Sequence, residues 1–335
     1  MLELRGVSKT FDPGTPMEVK IMTDFNLTIN EGDFITVIGG NGSGKSTMMN
    51  LISGKRTPDH GVVLLNEFNI SKMSEHKRAP YFGRVFQDPM MGTAADMTIL
   101  ENLTLAYGRG RMRSLFRWST HAKDKEFFIE QLKSLDLGLE TRLYDKVGLL
   151  SGGQRQALTL LMATIRKQPS LHSIKRDYVR FYMGDKEEAK QRMLSDLARF
   201  KQEYKDELKN IQGNKKEGKK QAKINYLNKI GTYDLTKQIL LLDEHTAALD
   251  PKTAAKVLEV TDRIVKENSL TTIMITHNMR DALKYGNRLI MMSRGKVVVD
   301  VSGEEKSKLK VDDLLAMFSK ANKDDFLSDS QILDD

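Results

Sequence analysis

The sequence predicts an α/β protein built on a parallel sheet, and three stretches predict it. The first is Gly39-Gly40-Asn41-Gly42-Ser43-Gly44-Lys45-Ser46-Thr47, with the apolar run Phe34 to Ile38 before it and the helix start Ser46 to Ile52 after it. A short apolar run, a glycine-rich turn and a helix start form the strand–loop–helix unit of such sheets. The second is Ile239-Leu240-Leu241-Leu242, closed by Asp243-Glu244. Consecutive apolar residues fit a strand buried on both faces. The third is Thr272 to Thr276, β-branched and apolar, whose end delivers His277.

In chain order, Val7-Ser8-Lys9-Thr10-Phe11 comes first, and the turn residues Asp12-Pro13-Gly14 follow it. The stretch from Gly39 then fits the phosphate-binding pattern: Gly, four residues, Gly-Lys-Ser. Its place before a helix turns backbone N–H groups of Gly39, Asn41, Gly42, Gly44 and Thr47 toward phosphates. Lys45 reaches the β- and γ-phosphates, and the Ser46 hydroxyl is placed for Mg²⁺. Tyr81 and Phe82 read as packing residues, and Phe86-Gln87-Asp88 follows them. Trp118 sits in a basic stretch with Arg109, Arg111, Arg113 and Arg117, and reads as a packed residue rather than a membrane anchor. Leu150-Ser151-Gly152-Gly153-Gln154 opens another helix.

Together, and in this order, these motifs resemble the nucleotide-binding subunit of an ABC transporter. Leu150 to Gln154 is similar to that family's signature, and Ile239 to Glu244 to its Walker B strand. Gln87 lies in a segment that resembles the Q-loop, and Ala248-Leu249-Asp250 resembles the D-loop. His277 stands where the switch histidine stands, and Phe11 where an aromatic stacks on adenine, with core packing as its other reading and Tyr81 and Phe82 as the other aromatics on offer. The resemblance covers residues 1 to about 168 and 238 to about 302. It implies a P-loop NTPase (RecA-like) core with an antiparallel β subdomain and an α-helical signature subdomain, to which the residues outside the resemblance add an inserted helical hairpin. It implies ATP and Mg²⁺ as ligands, the ion held by Ser46, Asp243 and Gln87. Glu244 would then orient or deprotonate the attacking water, His277 would contact the γ-phosphate, and Gln87 would sense both. Ser151 and Gly153 would act on the nucleotide of a second ATPase subunit, in a head-to-tail dimer with composite sites. Two residues depart from the pattern: His245 where proline is usual, and Ala247 where serine is common.

The implied domains are 1–87 with 238–310 as the ATP-binding core, 88–169 as the helical signature subdomain, 170–237 as a basic insertion, and 311–335 as a C-terminal helix and acidic tail. Thr98 to Leu103 has the look of the strip that meets a membrane partner. The tail helix is expected to be amphipathic through Val311, Leu314, Leu315 and Phe318.

Composition narrows the classes. The chain has 335 residues and no cysteine, which excludes disulfides and zinc–thiolate sites and suits a reducing compartment. The longest purely apolar runs fall far short of the ~20 residues that span a bilayer. The start carries Glu3 and Arg5 without an apolar stretch, so no signal peptide is expected. Eighteen methionines, with pairs at Met48-Met49, Met90-Met91 and Met291-Met292, read as flexible core filler.

The insertion interrupts a connection that usually takes about 2–6 residues. Ser170 to Lys237 holds 17 Lys and Arg against 10 Asp and Glu, so +7 of the chain's +8 charge lies there. Met193, Leu197, Phe200, Tyr204, Leu208 and Ile211 repeat at helical spacing, then Gln212-Gly213-Asn214 and Gly218 break it. A helical hairpin over 186–211 and 219–230 is expected. It reads as a solvated charged pair, or as a contact for anionic lipid, nucleic acid or a protein.

The expected function is ATP-driven solute transport through separate transmembrane permease subunits, at the cytoplasmic face of the cell membrane. Import of an amino-acid-like solute with a solute-binding protein is the expected form. The alternative is a non-transport ABC ATPase acting on nucleic acid or ribosomes. Against it, translation-type members carry two fused cassettes, chromosome-maintenance types a far longer coiled coil, and excision-repair types zinc-binding cysteines.

Overall fold

A computed structural model describes residues 1–109, 122–165, 187–211, 215–231 and 239–320. The chain divides into two compact units, Met1–Arg166 with Gln238–Asp335, and Lys167–Lys237.

Two sheets organise the larger unit. A four-stranded antiparallel sheet holds β1 (Leu2–Phe11), β2 (Val19–Ile29), β4 (His60–Leu65) and β5 (Phe68–Asn69), in the order β2-β1-β4-β5. The six-stranded sheet holds β3 (Phe34–Gly39), β6 (Phe82–Val85), β7 (Ile239–Asp243), β8 (Thr271–Ile275), β9 (Arg288–Ser293) and β10 (Lys296–Ser302), in the order β10-β9-β3-β8-β7-β6. Its pairs are parallel except β9–β10. The strands read from apolar runs are buried almost throughout, since helices cover both faces of a parallel sheet.

The helices are α1 (Lys45–Ser53), α2 (Glu75–Arg78), α3 (Ile99–Tyr107), α4 (Ala122–Lys133) and α5 (Gly152–Thr164) before the insertion. Leu158 and Leu160 of α5, Leu103 of α3 and Phe128 of α4 join Leu240, Leu242 and Met274 of the sheet in one core. Arg78, at the end of α2, is fully buried. It donates to the carbonyls of Leu51 and Ile52 (both 2.7 Å), Met73 (2.8 Å), Ile70 (2.5 Å) and Ser71 (3.1 Å). It thereby closes the C-terminus of α1, where helical carbonyls lack partners. Burial pushes its pKa down to about 10.

In the smaller unit, α6 (Glu187–Lys209) and α7 (Lys215–Gly231) form the hairpin. Lys229 pairs with Glu203 (2.8 Å), the rings of Tyr226 and Tyr204 stack at 4.9 Å, and Asn225 bonds Glu207 (2.7 Å). One number falls as the other rises, so the helices run antiparallel. Gly218 was expected in the break before the second helix, which instead begins at Lys215. Gly218 lies inside that helix and packs closely on Ile211, since a Cβ there would stand 2.6 Å from the Ile211 side chain.

Three more expectations change. The Thr98–Leu103 strip turns its apolar residues inward: Ile99 and Leu103 are fully buried, and a Thr98–Glu101 capping box starts the helix. The exposed apolar side chains nearby are Met90 and Met91, so this methionine pair is not core filler, although Met48, Met49, Met291 and Met292 are. The signature helix does open within Leu150 to Gln154 as expected, at Gly152, where Ser151 and Gln154 form a capping box of their own. In the helix at 311–320, Leu314 is buried but Leu315 is 47% exposed. Trp118, Arg111, Arg113, Arg117 and the acidic tail lie outside the described residues.

Candidate nucleotide-binding site

Parallel pairing brings the carboxyl ends of β3, β8, β7 and β6 to one edge of the sheet, where ligands of such sheets bind. Each strand hands over a predicted residue there. β3 runs into the glycine loop, β7 ends at Asp243-Glu244, β8 is followed by His277, and β6 by Gln87. Asp243 and Val37 both pair with Ile275, so the three exits lie level.

Two glycines make the loop. Gly39 has φ +154°, and a Cβ on it would collide with the Met292 carbonyl of β9. Gly44 caps α1 at φ +96°, a conformation that suits glycine. Lys45 is 5% exposed, and its ammonium donates to the carbonyls of Gly39 (2.7 Å) and Gly40 (2.9 Å). Burial lowers its pKa, while the charges of Glu244 and Asp243 act the other way. Beside the loop, Glu244 Oε1 lies 2.6 Å from His277 Nε2. Glu244 holds a left-handed backbone, φ +47°, which is costly for a non-glycine residue and clusters at functional sites.

A cleft of about 180 Å³ gathers Asn41, Gly42, Gly44, Lys45, Ser46 and Thr47 with Glu244 and His277. It also includes Ser43 and Ile21, which the sequence reading missed. Ile21 arrives from β2 of the other sheet, a placement no local pattern encodes. A loop of N–H groups with a buried ammonium suits a polyphosphate. The hydroxyl of Ser46 and the carboxylate of Asp243 are hard oxygen donors, the chemistry that suits Mg²⁺ alongside phosphate oxygens.

Other predicted residues stand apart from this cleft. Phe11 ends β1 with the Arg56 guanidinium 5.5 Å over its ring, and Gln87 is exposed; neither lines the cleft. Ser151 accepts from Gln154 N (3.3 Å). Asp250 caps α8 (Pro251–Glu267) by accepting from Thr253 N (3.1 Å), and hydrogen bonding from the Thr253 side chain, then from its backbone, lowers the Asp250 pKa. Gly153 is buried against α8, where a Cβ would collide with Thr253 Cγ2.

His245, the departure from proline, is 2% exposed. Thr261 Oγ1 donates to Val257 O (2.8 Å), so it accepts from His245 Nε2–H (3.2 Å), which fixes the tautomer. Burial pushes the imidazole pKa down to about 4. Gln156 of α5, also missed, donates to Phe86 O (3.1 Å), beside Gln87.

Comparison with known proteins decides the family. The ABC transporter family matches residues 22–172. A tyrosine transport ATP-binding protein of Clostridioides difficile (strain R20291) is 34% identical over 321 residues, 96% of this chain and 100% of that one. The chain belongs to the ABC transporter family. A phosphonates import ATP-binding protein of Lactococcus lactis subsp. lactis (strain IL1403) is 26% identical, over 94% of this ABC chain and 98% of its own. A dimeric ATP-binding cassette solved in a post-hydrolysis state with ADP and Pi shares the fold, at TM-score 0.58 and 22% identity, covering 90% and 98% of the two chains. The expected P-loop NTPase core holds, and the ABC protein is an ATPase. Among the described residues, no helix is long and apolar enough to cross a membrane.

Proposed function

We propose that this ABC ATPase powers solute import across a membrane through separate transmembrane subunits, with an amino-acid-like solute as cargo. The observation that carries the reading is the full-length similarity to a tyrosine transport ATP-binding protein. The second relative is named for import as well. On this reading the protein is peripheral, at the cytoplasmic face, and works with a solute-binding protein.

In the site, Lys45 and the loop N–H groups bind the phosphates, and Ser46 and Asp243 hold Mg²⁺. When bound, the ion neutralises charge on the β- and γ-oxygens. Glu244 takes a proton from the attacking water, and the 2.6 Å contact with His277 orients its carboxylate. Gln87 joins the site by a movement of its loop, and Phe11 stacks on adenine on the face that Arg56 leaves open. Ser151 and Gly153 complete the site of a second subunit, which supports a head-to-tail dimer.

Co-purification from detergent-solubilised membranes tests the assignment, followed by uptake of labelled tyrosine in vesicles. A tight integral-membrane partner and ATP-dependent uptake are expected. Bound nucleic acid without a membrane partner overturns the transport reading. A membrane partner without tyrosine uptake overturns the cargo class.

A further inference from the structure

Arg84 is a charged residue inside the apolar strand β6, with its side chain 11% exposed. Its Nη2 donates to Asp243 Oδ2 and to Asn50 Oδ1, both at 3.1 Å, and its Nη1 donates to Ser53 Oγ at 3.2 Å. The guanidinium lies 4.8 Å over the Phe86 ring, which restricts its plane. Asn50 and Ser53 follow Ser46 at i+4 and i+7 on α1, so the three share one face of that helix.

We propose that Arg84 is a positioning residue for the Mg²⁺ site, tying the Asp243 carboxylate of β7 to the helix face that carries Ser46. The inference rests on reading Ser46 and Asp243 as the groups that hold the ion. Those two side chains come from elements about two hundred residues apart in sequence, and Arg84 bonds both elements at once. Mg²⁺ demands near-ideal octahedral geometry, so small changes in ligand separation weaken it. A planar fork makes such a brace, whereas the point charge of lysine cannot hold all three partners. Charge alone predicts the opposite sign: a cation beside an ion-binding carboxylate repels the ion, and its removal would tighten binding.

The test uses the full chain with a non-hydrolysable ATP analogue, protein in excess, and Mn²⁺ as a paramagnetic probe followed by loss of its free-ion spectrum. Nucleotide affinity is measured separately in EDTA. The parent is expected to take up the ion only with nucleotide. Failure of the parent to do so overturns the Mg²⁺ reading and the inference with it. Given uptake by the parent, Arg84→Lys and Arg84→Met are each expected to weaken the ion about tenfold, as loss of a ligand's supporting partner does, with affinity in EDTA within about twofold. Unchanged or tighter ion binding overturns the brace. An equal loss in EDTA makes Arg84 a support of the loop as a whole, and also overturns it. Should the Arg84 variants fail to fold, the Asn50→Ala, Ser53→Ala double variant removes only the helix end of the brace. It is expected to weaken the ion several-fold, and unchanged binding counts against the proposal.

Discussion

Glu244 and Arg78 mark two ways in which single residues matter here. Glu244 combines a left-handed backbone with a 2.6 Å contact to His277. Glu244→Gln keeps its size and its hydrogen bond but removes the base. Turnover is expected to fall by about 10²–10⁴, with nucleotide affinity within about threefold. Steady-state hydrolysis alongside equilibrium binding checks this, and near-parental turnover would exclude Glu244 as the base. Arg78 touches no predicted site residue. In sequence it is one basic residue among several, yet five buried carbonyls depend on it. Arg78→Met is expected to destabilise the fold by about 3–5 kcal/mol, because those acceptors lose their donor. Urea denaturation reads that loss directly.

Between elements, the signature helix α5 and α8 meet where Gly153 faces Thr253. Gly153→Ala is expected to cost about 1–3 kcal/mol through overpacking. Adding Thr253→Ser removes the obstructing methyl and should return most of that stability. If the pair remains as unstable as the single variant, packing against α8 is not what requires the glycine. A second element-level effect comes from the short helix Gly303–Lys308. The ammonium of Lys306 is buried and donates to the carbonyls of Tyr285 and Gly286, the latter at 2.9 Å. Burial pushes its pKa down to about 8 from 10.5. The unfolded chain therefore binds more protons between those values, and stability from this group rises with pH across that window. The gain is at most about 3 kcal/mol. Denaturation at pH 7.5 and pH 10 should show it in the parent and not in Lys306→Met.

For the whole molecule, the insertion and the dimer are the open variables. Among the described residues, none of 170–237 lines the cleft, and Lys167–Lys237 forms a compact unit of its own. Replacing Ser170 to Lys237 by a short glycine-containing loop is expected to leave a folded ATPase, carrying +1 in place of +8. Loss of hydrolysis in folded protein would show that the catalytic unit needs the hairpin. If the hairpin holds anionic lipid or nucleic acid, salt-sensitive binding belongs to the parent alone. A head-to-tail dimer makes a separate prediction. Mixing inactive Ser151→Arg and Lys45→Ala subunits leaves one site intact in each mixed dimer, so part of the activity should return. No recovery at any ratio argues against action in trans, provided one site suffices.

The sequence by itself determined the buried strands at Phe34, Ile239 and Thr272, the loop at Gly39 to Thr47 and the order of the motifs, and through their resemblance the family and its second sheet. These are local signals: buried parallel strands are continuous apolar runs, and a phosphate loop is written in consecutive residues. The hairpin was legible for the same reason, although Gly218 was misread because its neighbour Ile211 lies across the turn. The Thr98–Leu103 strip shows the limit of resemblance, which picks out a stretch without saying which of its side chains face the core, as Ile99 and Leu103 do. Tertiary structure alone decided that Arg84 meets Asp243 and Asn50, that Gln156 meets Phe86, and that Gly153 meets Thr253. Each pair joins residues tens to hundreds of positions apart, and only the packed sheet and helices bring them within reach.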